Sequence, residues 1–180
     1  MRRLFAAVVI CLTSASCAAD AVSSAMPACP EGADIGDELI LEAQAVPSAT
    51  FVPCVEKLPA GWGFVELDAR RGAATLVLAN DQAMGEVVRV ELRRSCDTGG
   101  APEVPSPEPG VRKFTEVEGI DGRVAGRDYF VFEGGCVYNS FDFTGPRGSL
   151  LAAQVGLLSG LVPRDAISDE LEAAGFKLDS

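Results

Sequence analysis

The sequence predicts an α+β domain in which an antiparallel sheet of about six strands packs against helices. Residues 63–143 form short runs of alternating apolar and polar side chains separated by glycines, which is typical of half-buried strands. Residues 149–174 instead carry apolar side chains at helical spacing. With 180 residues, 48% of them apolar and 23% charged, the chain has the composition of a single folded domain.

Most of the predicted strands follow one another closely, so we expect an antiparallel meander. The clearest alternation is in residues 86–96, where Val88, Val90 and Leu92 face inward. Four prolines in residues 97–110 predict a solvent-exposed loop with polyproline-II character. Residues 120–126 are expected to be a glycine-containing turn. The six predicted strands are residues 63–68, 74–80, 86–96, 111–118, 129–133 and 136–143.

The last two of these strands form the hairpin around which we expect the sheet to be organised. Gly134 and Gly135 are predicted to be its two-residue turn, because glycine adopts positive φ without steric cost. Alternation then assigns six side chains to a core face, namely Phe130, Phe132, Val137, Asn139, Phe141 and Phe143. The opposite face receives Tyr129, Val131, Glu133, Cys136, Tyr138 and Ser140.

Three helices are expected around the sheet. Residues 37–45 begin with acidic side chains, which favour a helix N-terminus, and Pro47 follows them. Ser149 is a candidate N-cap for residues 150–159, and Pro163 suits the first turn of a helix that continues to Ala174. We expect the two C-terminal helices to pack on one face of the sheet.

The N-terminus has the pattern of a bacterial export signal. Arg2 and Arg3 precede an apolar stretch, residues 4–12, that is too short for a permanent membrane span. Small residues then lead to Cys17, and residues 14–17 resemble a lipobox, although Ser14 stands where an aliphatic residue is usual. This predicts a signal peptide at residues 1–16, lipidation of Cys17, a tether at residues 17–36 and one domain at residues 37–180. The alternative is cleavage near residues 19–21, which would discard Cys17 and give a secreted protein.

An exported chain would fold in an oxidising compartment, where cysteines form disulfides. Cys11 lies in the export signal and Cys17 is the lipidation candidate, which leaves four other cysteines, an even number. Sequence alone allows three connectivities for them. We predict Cys29–Cys54 and Cys96–Cys136, because each bond joins segments that are neighbours in the expected strand order.

Composition excludes several kinds of chemistry. The chain contains no histidine, so catalysis by Ser-His-Asp or Cys-His groups is excluded, and no CxxC pair suggests zinc. We therefore predict no catalytic residues, no metal site and no cofactor. A carboxylate pair, as in glycoside hydrolases, is the enzymatic alternative. The formal charge of −11, or −13 without Arg2 and Arg3, argues against nucleic acid as a partner.

Five side chains are candidate ligand contacts. Arg93 and Arg94 end a strand beside a predicted disulfide and could bind a carboxylate or phosphate, or could instead pair with nearby acidic side chains. Trp62, Tyr129 and Tyr138 could form an aromatic contact surface, or could belong to the core.

Four sequence phrases resemble an uncharacterised family of exported, often lipoprotein-type, actinobacterial proteins. They are VPSATFVPC at residues 46–54, LPAGW at 58–62, CDTGGA at 96–101 and FEGGCVYNSFDF at 132–143. The resemblance implies export and an envelope location, and it implies no activity.

The expected function is that of a non-enzymatic binding module outside the cytoplasm. Its expected contacts are the cell membrane, through a lipid on Cys17, and an envelope protein or polymer. The alternatives are an envelope-polymer hydrolase that uses paired carboxylates and a purely structural or immunity-like protein.

Overall fold

A computed structural model describes residues 20–30, 35–83 and 85–178. It contains an eight-stranded antiparallel sheet, a two-stranded antiparallel sheet and three α-helices. The α+β class is therefore confirmed, but the main sheet has eight strands where we expected about six. The predicted cleavage and lipidation positions, including Cys17, lie outside the described residues.

The strands of the main sheet are β1 (Ala21–Ser23), β3 (Trp62–Arg70), β4 (Ala73–Asn80), β5 (Val87–Arg93), β6 (Glu103–Val104), β7 (Arg112–Ile120), β8 (Arg123–Phe132) and β9 (Gly135–Thr144). Their order in the sheet is β1-β3-β4-β5-β9-β8-β7-β6, so the sheet is not the expected meander. The chain leaves β5, forms the far edge of the sheet, and returns so that β9 lies between β5 and β8. Two short strands, which the sequence did not predict, form its outer edges.

The small sheet pairs β2 (Phe51–Val55) with β10 (Ser159–Pro163) and lies between the main sheet and two helices. Phe51, Val55 and Leu161 pack into the main core. Val52 and Val162 face the other way, into a second apolar cluster. The strand β10 occupies part of the sequence that we expected to link two helices.

The helices are α1 (Asp37–Ala45), α2 (Gly148–Gln154) and α3 (Arg164–Ala173), and a 3₁₀ turn (Val155–Leu157) follows α2. Helix α1 has the predicted bounds, whereas α2 begins at Gly148 after Arg147 and lacks the predicted Ser149 cap. Of the two C-terminal helices, α2 packs on the main sheet, against β8 and β9. Helix α3 instead contacts β10 and α1, so the two C-terminal helices do not share one face of the main sheet.

Both predicted disulfides are confirmed. Cys29–Cys54 joins the N-terminal segment to β2, and Cys96–Cys136 joins the end of β5 to β9. Residues 20–30 were assigned to the tether, yet Ala21–Ser23 pairs with β3 and Ala28 forms a bridge with Val55. The described part of this segment is thus packed against the domain.

The hairpin turn is Glu133-Gly134, not Gly134-Gly135, because Phe132 pairs with Gly135. The predicted register is therefore wrong by two residues. A two-residue shift keeps every side chain on its face, since side chains alternate with a period of two. Phe132, Phe141 and Phe143 are buried in the core as predicted, and fully buried Asn139 lies near the Ser159 hydroxyl. The predicted turn at residues 120–126 shortens to Asp121-Gly122, and β8 begins at Arg123.

Gly134 is required at the hairpin turn for two reasons. Its φ is +71°, and a Cβ built on it would lie 1.7 Å from the carbonyl oxygen of Ser48. The approach is close because the Ser48 hydroxyl donates a hydrogen bond of 2.6 Å to the Gly134 carbonyl. The turn is thus packed directly against the loop that connects α1 and β2.

We predict that Gly134→Ala destabilises the domain by more than about 3 kcal/mol, because it adds a backbone clash to the strain of positive φ. Gly122→Ala is the matched control, since Gly122 has a φ of +81° but no atom within 4 Å of the Cβ that the substitution would add. The control should cost only about 1 kcal/mol. Urea denaturation of the two variants measures the difference, and equal losses would contradict the packing of Gly134 against Ser48.

Candidate functional site

The face of the main sheet that points away from the helices carries polar and charged side chains across its central strands. Strand register places Arg89 of β5 and Arg127 of β8 on either side of Ser140 of β9. In the next row, two residues further along, Glu91, Tyr138 and Tyr129 are neighbours in the same order. We call this surface the outer face.

A groove of about 430 Å³ lies on the outer face. It spans β5, β9, β8 and β7, and most of its lining is charged. Its principal side chains are Arg89, Glu116, Glu118, Arg123, Arg127, Ser140 and Asp142. The groove therefore lies on the same side of the hairpin as Tyr138 and Cys136, and not on the core side.

A second cavity, of about 330 Å³, continues the groove toward the Cys96–Cys136 disulfide. The two cavities share Arg127 and Ser140. The second one also contains Glu91, Arg93, Tyr129 and Tyr138, together with Ser95 and Asp97 after the end of β5. We refer to both cavities together as the outer groove.

Two of the arginines in the outer groove form ion pairs with neighbouring carboxylates. Arg93 pairs with Glu91, and Arg123 forms a bidentate pair with Asp142. The hydrogen bond from Arg123 holds the pKa of Asp142 below its ordinary value. Within the described residues, Arg89 and Arg127 have no acidic partner within ion-pair distance, so their charges remain available in the groove.

The tyrosines provide an aromatic floor in the second cavity. Tyr129 is buried, Tyr138 is half-buried, and their ring centroids are 5.9 Å apart. Burial raises the pKa of the Tyr138 phenol above its ordinary value, and the neighbouring Glu91 carboxylate raises it further. Tyr138 thus stays protonated at neutral pH and can donate a hydrogen bond.

Three of the five candidate contacts predicted from the sequence lie in this groove, namely Arg93, Tyr129 and Tyr138. Arg94 is exposed and lines neither cavity of the outer groove. Trp62 is buried on the other side of the sheet, where its indole donates a hydrogen bond of 2.8 Å to Gln154 and its ring contacts Phe143. Trp62 therefore belongs to the core.

Sequence reasoning missed Arg89, Arg127 and Ser140 as a group. Arg89 was recognised as an outward residue of its strand and Ser140 as an outward residue of the hairpin. The segment before Asp128, however, was not assigned to a strand, and no register was predicted between β5 and β9. Only these long-range pairings bring the three residues into one row.

The strand register places Glu118 of β7 and Asp142 of β9 on either side of Ala125 of β8. Asp142 is held by Arg123, and Glu91 is held by Arg93. A glycosidase requires two carboxyl groups on either side of the scissile bond. In the described part of the chain there is also no group of three or more side chains that could hold a metal ion.

One carboxyl group outside the groove has an unusual environment. Glu42 of α1 is fully buried, and neither of its carboxyl oxygens has a hydrogen-bond partner among the described residues. Burial raises its pKa well above the ordinary value, and the nearby Glu38 carboxylate adds to this rise. Glu42 therefore resembles a buried neutral acid in a helix that supports the core.

No family model and no curated protein sequence matches the chain. A crystal structure from Bacteroides thetaiotaomicron is a distant structural neighbour, with 12% sequence identity and a TM-score of 0.32. The match covers 64% of this chain and 46% of that chain, so the chain spans less than half of the neighbour. A likeness this weak carries no argument about function.

Two further findings concern the cellular location. The Cys29–Cys54 and Cys96–Cys136 disulfides indicate an extracytoplasmic environment, where such bonds form and persist. Within residues 20–30, 35–83 and 85–178, no helix combines the length and the hydropathy that a membrane span requires.

The buried Glu42 leads to a prediction about pH. Because its folded-state pKa is raised above the unfolded value of about 4.5, the folded protein binds the proton more tightly. Its contribution to stability is thus complete below pH 4.5 and is lost as the pH rises toward the folded-state pKa. We expect Glu42→Gln, which cannot ionise, to reduce the loss of unfolding free energy between pH 5 and pH 8.

Urea unfolding of wild type and variant at a series of pH values measures this difference. Glu172→Gln is the matched control, because Glu172 is an exposed residue near the end of α3. The control should leave the pH profile as in wild type. A Glu42→Gln profile parallel to that of wild type would contradict a raised pKa.

Proposed function

We propose that the protein is an exported, lipid-anchored and non-enzymatic module that binds a component of the cell envelope through its outer groove. The observation that carries this proposal is the position of the groove. It lies on central strands of the sheet, where neighbouring strands and the Cys96–Cys136 disulfide hold its backbone in place. A polar surface on such a backbone is suited to binding without backbone rearrangement.

The contents of the groove favour binding over catalysis. It offers two arginines without ion-pair partners among the described residues and a serine hydroxyl, all of which can donate hydrogen bonds to a ligand. Two of its carboxylates, Glu91 and Asp142, are paired with arginines, and the chain has no histidine. We therefore prefer a binding module to an envelope-polymer hydrolase.

The anchoring part of the proposal rests on the export pattern and on the resemblance of residues 14–17 to a lipobox. The domain begins to pack at Ala21, only a few residues after Cys17. A lipid on Cys17 would accordingly hold the domain close to the membrane surface. The resemblance to exported actinobacterial proteins supports the same location.

We expect the full chain, expressed in an actinobacterial host, to lose residues 1–16 and to gain a lipid on Cys17. Intact-mass spectrometry of the membrane fraction, with and without globomycin, measures both changes. Cys17→Ser is the matched control and should remain unacylated. An unacylated mature wild-type protein that starts after Ala18 would contradict lipid anchoring.

The binding function is tested by filling the groove. Ser140 lies where the two cavities meet, and its side chain points outward, so Ser140→Trp should block the groove without removing a charge. We expect the processed protein in detergent micelles to sediment with isolated cell envelopes. The fraction of Ser140→Trp that sediments should be much smaller than that of wild type. Arg94→Trp is the matched control, because Arg94 is exposed but lies outside the groove.

Circular dichroism should show that both variants are folded. If wild type does not associate with envelopes, or if Ser140→Trp associates as well as wild type, the proposed function is wrong. If Arg94→Trp loses association equally, binding does not occur through the groove.

A further inference from the structure

The row formed by Arg89, Ser140 and Arg127 is a candidate binding site in its own right. Ser140 pairs with Arg89 on one side and with Arg127 on the other. Because neighbouring strands are about 4.8 Å apart, the two arginine Cα atoms are about 10 Å apart with the serine between them. Both guanidinium groups can therefore reach one small group placed over Ser140.

All three side chains are available to a ligand. Neither arginine has an ion-pair partner within the described residues, whereas Arg70, Arg93, Arg112 and Arg123 each have one. The Ser140 hydroxyl also lacks a hydrogen-bond partner in this part of the chain. Two guanidinium forks and a hydroxyl match the oxygens of a carboxylate or a phosphate.

We propose that this row binds an oxyanion, carboxylate or phosphate, carried by a glycopolymer that lies along the outer groove. The inference deepens the function proposed above and rests on it. It assigns the centre of the groove to the charged group of the ligand and the flanking cavities to neighbouring sugar or polyol units.

The shape of the groove fits an extended polymer. Its two cavities follow β5 from Val87 past Arg93, which corresponds to a length of about 20 Å at the rise of a strand. Hydroxyl, carboxylate and guanidinium groups line it along this length, and half-buried Tyr138 supplies aromatic surface. Such a lining matches the many hydroxyl groups of a polysaccharide.

A peptide is a poorer fit, because peptides that bind sheets normally pair with an exposed strand edge. The outer groove lies on a face formed by β5, β9 and β8, whose main-chain groups pair with neighbouring strands. A ligand here is recognised by side chains alone. The net negative charge of the protein disfavours the binding of polyanions to most of its surface. The row is a local exception, because it presents two arginines without ion-pair partners among the described residues.

Glu116 lies beside Arg127 and provides a second way to test the inference. Register places Glu116 of β7 beside Arg127, yet the two side chains are not within ion-pair distance. Its negative charge opposes a bound anion on Arg127. Removing that charge should therefore strengthen binding, whereas removing the arginines should weaken it.

Isothermal calorimetry with four defined tetramers tests the inference on the processed protein in detergent micelles. The probes are tetragalacturonate, phosphorylated maltotetraose, neutral maltotetraose and tetraglutamate. We expect tighter binding of at least one anionic saccharide than of neutral maltotetraose. Which of the two binds identifies the oxyanion as a carboxylate or a phosphate.

The double variant Arg89→Gln/Arg127→Gln should bind the preferred anionic saccharide at least about tenfold more weakly, because it loses the charge-assisted hydrogen bonds of both arginines. Glu116→Gln should strengthen it severalfold. Arg71→Gln is the matched control, because Arg71 is exposed, has no ion-pair partner among the described residues and lies in the turn between β3 and β4. It should bind as wild type does.

Two results would overturn the inference. One is that neither anionic saccharide binds better than neutral maltotetraose, or that tetraglutamate binds better than both. The other is that Arg71→Gln weakens binding as much as the double variant does. If envelope association is still abolished by Ser140→Trp in these cases, the proposed function stands and only the ligand class is wrong.

Discussion

The position of strand β9 between β5 and β8 is the constraint on which the rest of the structure depends. It brings the hairpin to the centre of the main sheet, and the Cys96–Cys136 disulfide joins β9 to the end of β5. Because side chains alternate along β9, one strand supplies both surfaces of the sheet. Phe141 and Phe143 contribute to the core, while Tyr138 and Ser140 face the outer groove.

This arrangement separates stability from binding. The core face is covered by α2 and by the small sheet, whose other side is covered by α1 and α3. Among the described residues the outer face has no such cover, so charged side chains can occupy it without the cost of burial. Since the groove residues come from paired strands, their backbone is held in place. A ligand that binds here therefore costs little backbone entropy.

Local patterns predicted local features well. The acidic start and Pro47 predicted α1, and alternation placed the hairpin residues on their correct faces even though the register was wrong by two residues. The two disulfides were predicted because each joins segments that were neighbours in the expected strand order. The segments around Cys96 and Cys136 were expected to be neighbours, but the register between β5 and β9 and the pairing of β10 with β2 were not predicted, because no local signal specifies them. For the same reason the row of Arg89, Ser140 and Arg127 was not visible before the strands were paired.

The most direct test of the position of β9 is peptide mapping of the exported protein under non-reducing conditions. Proteolysis and mass spectrometry should recover one linked peptide pair that contains Cys96 and Cys136 and another that contains Cys29 and Cys54. The first pair would support the position of β9 beside the end of β5, and with it the outer groove that these strands form. Linkage of Cys136 to Cys29 or Cys54 would contradict the strand order, the groove and the functions proposed for it.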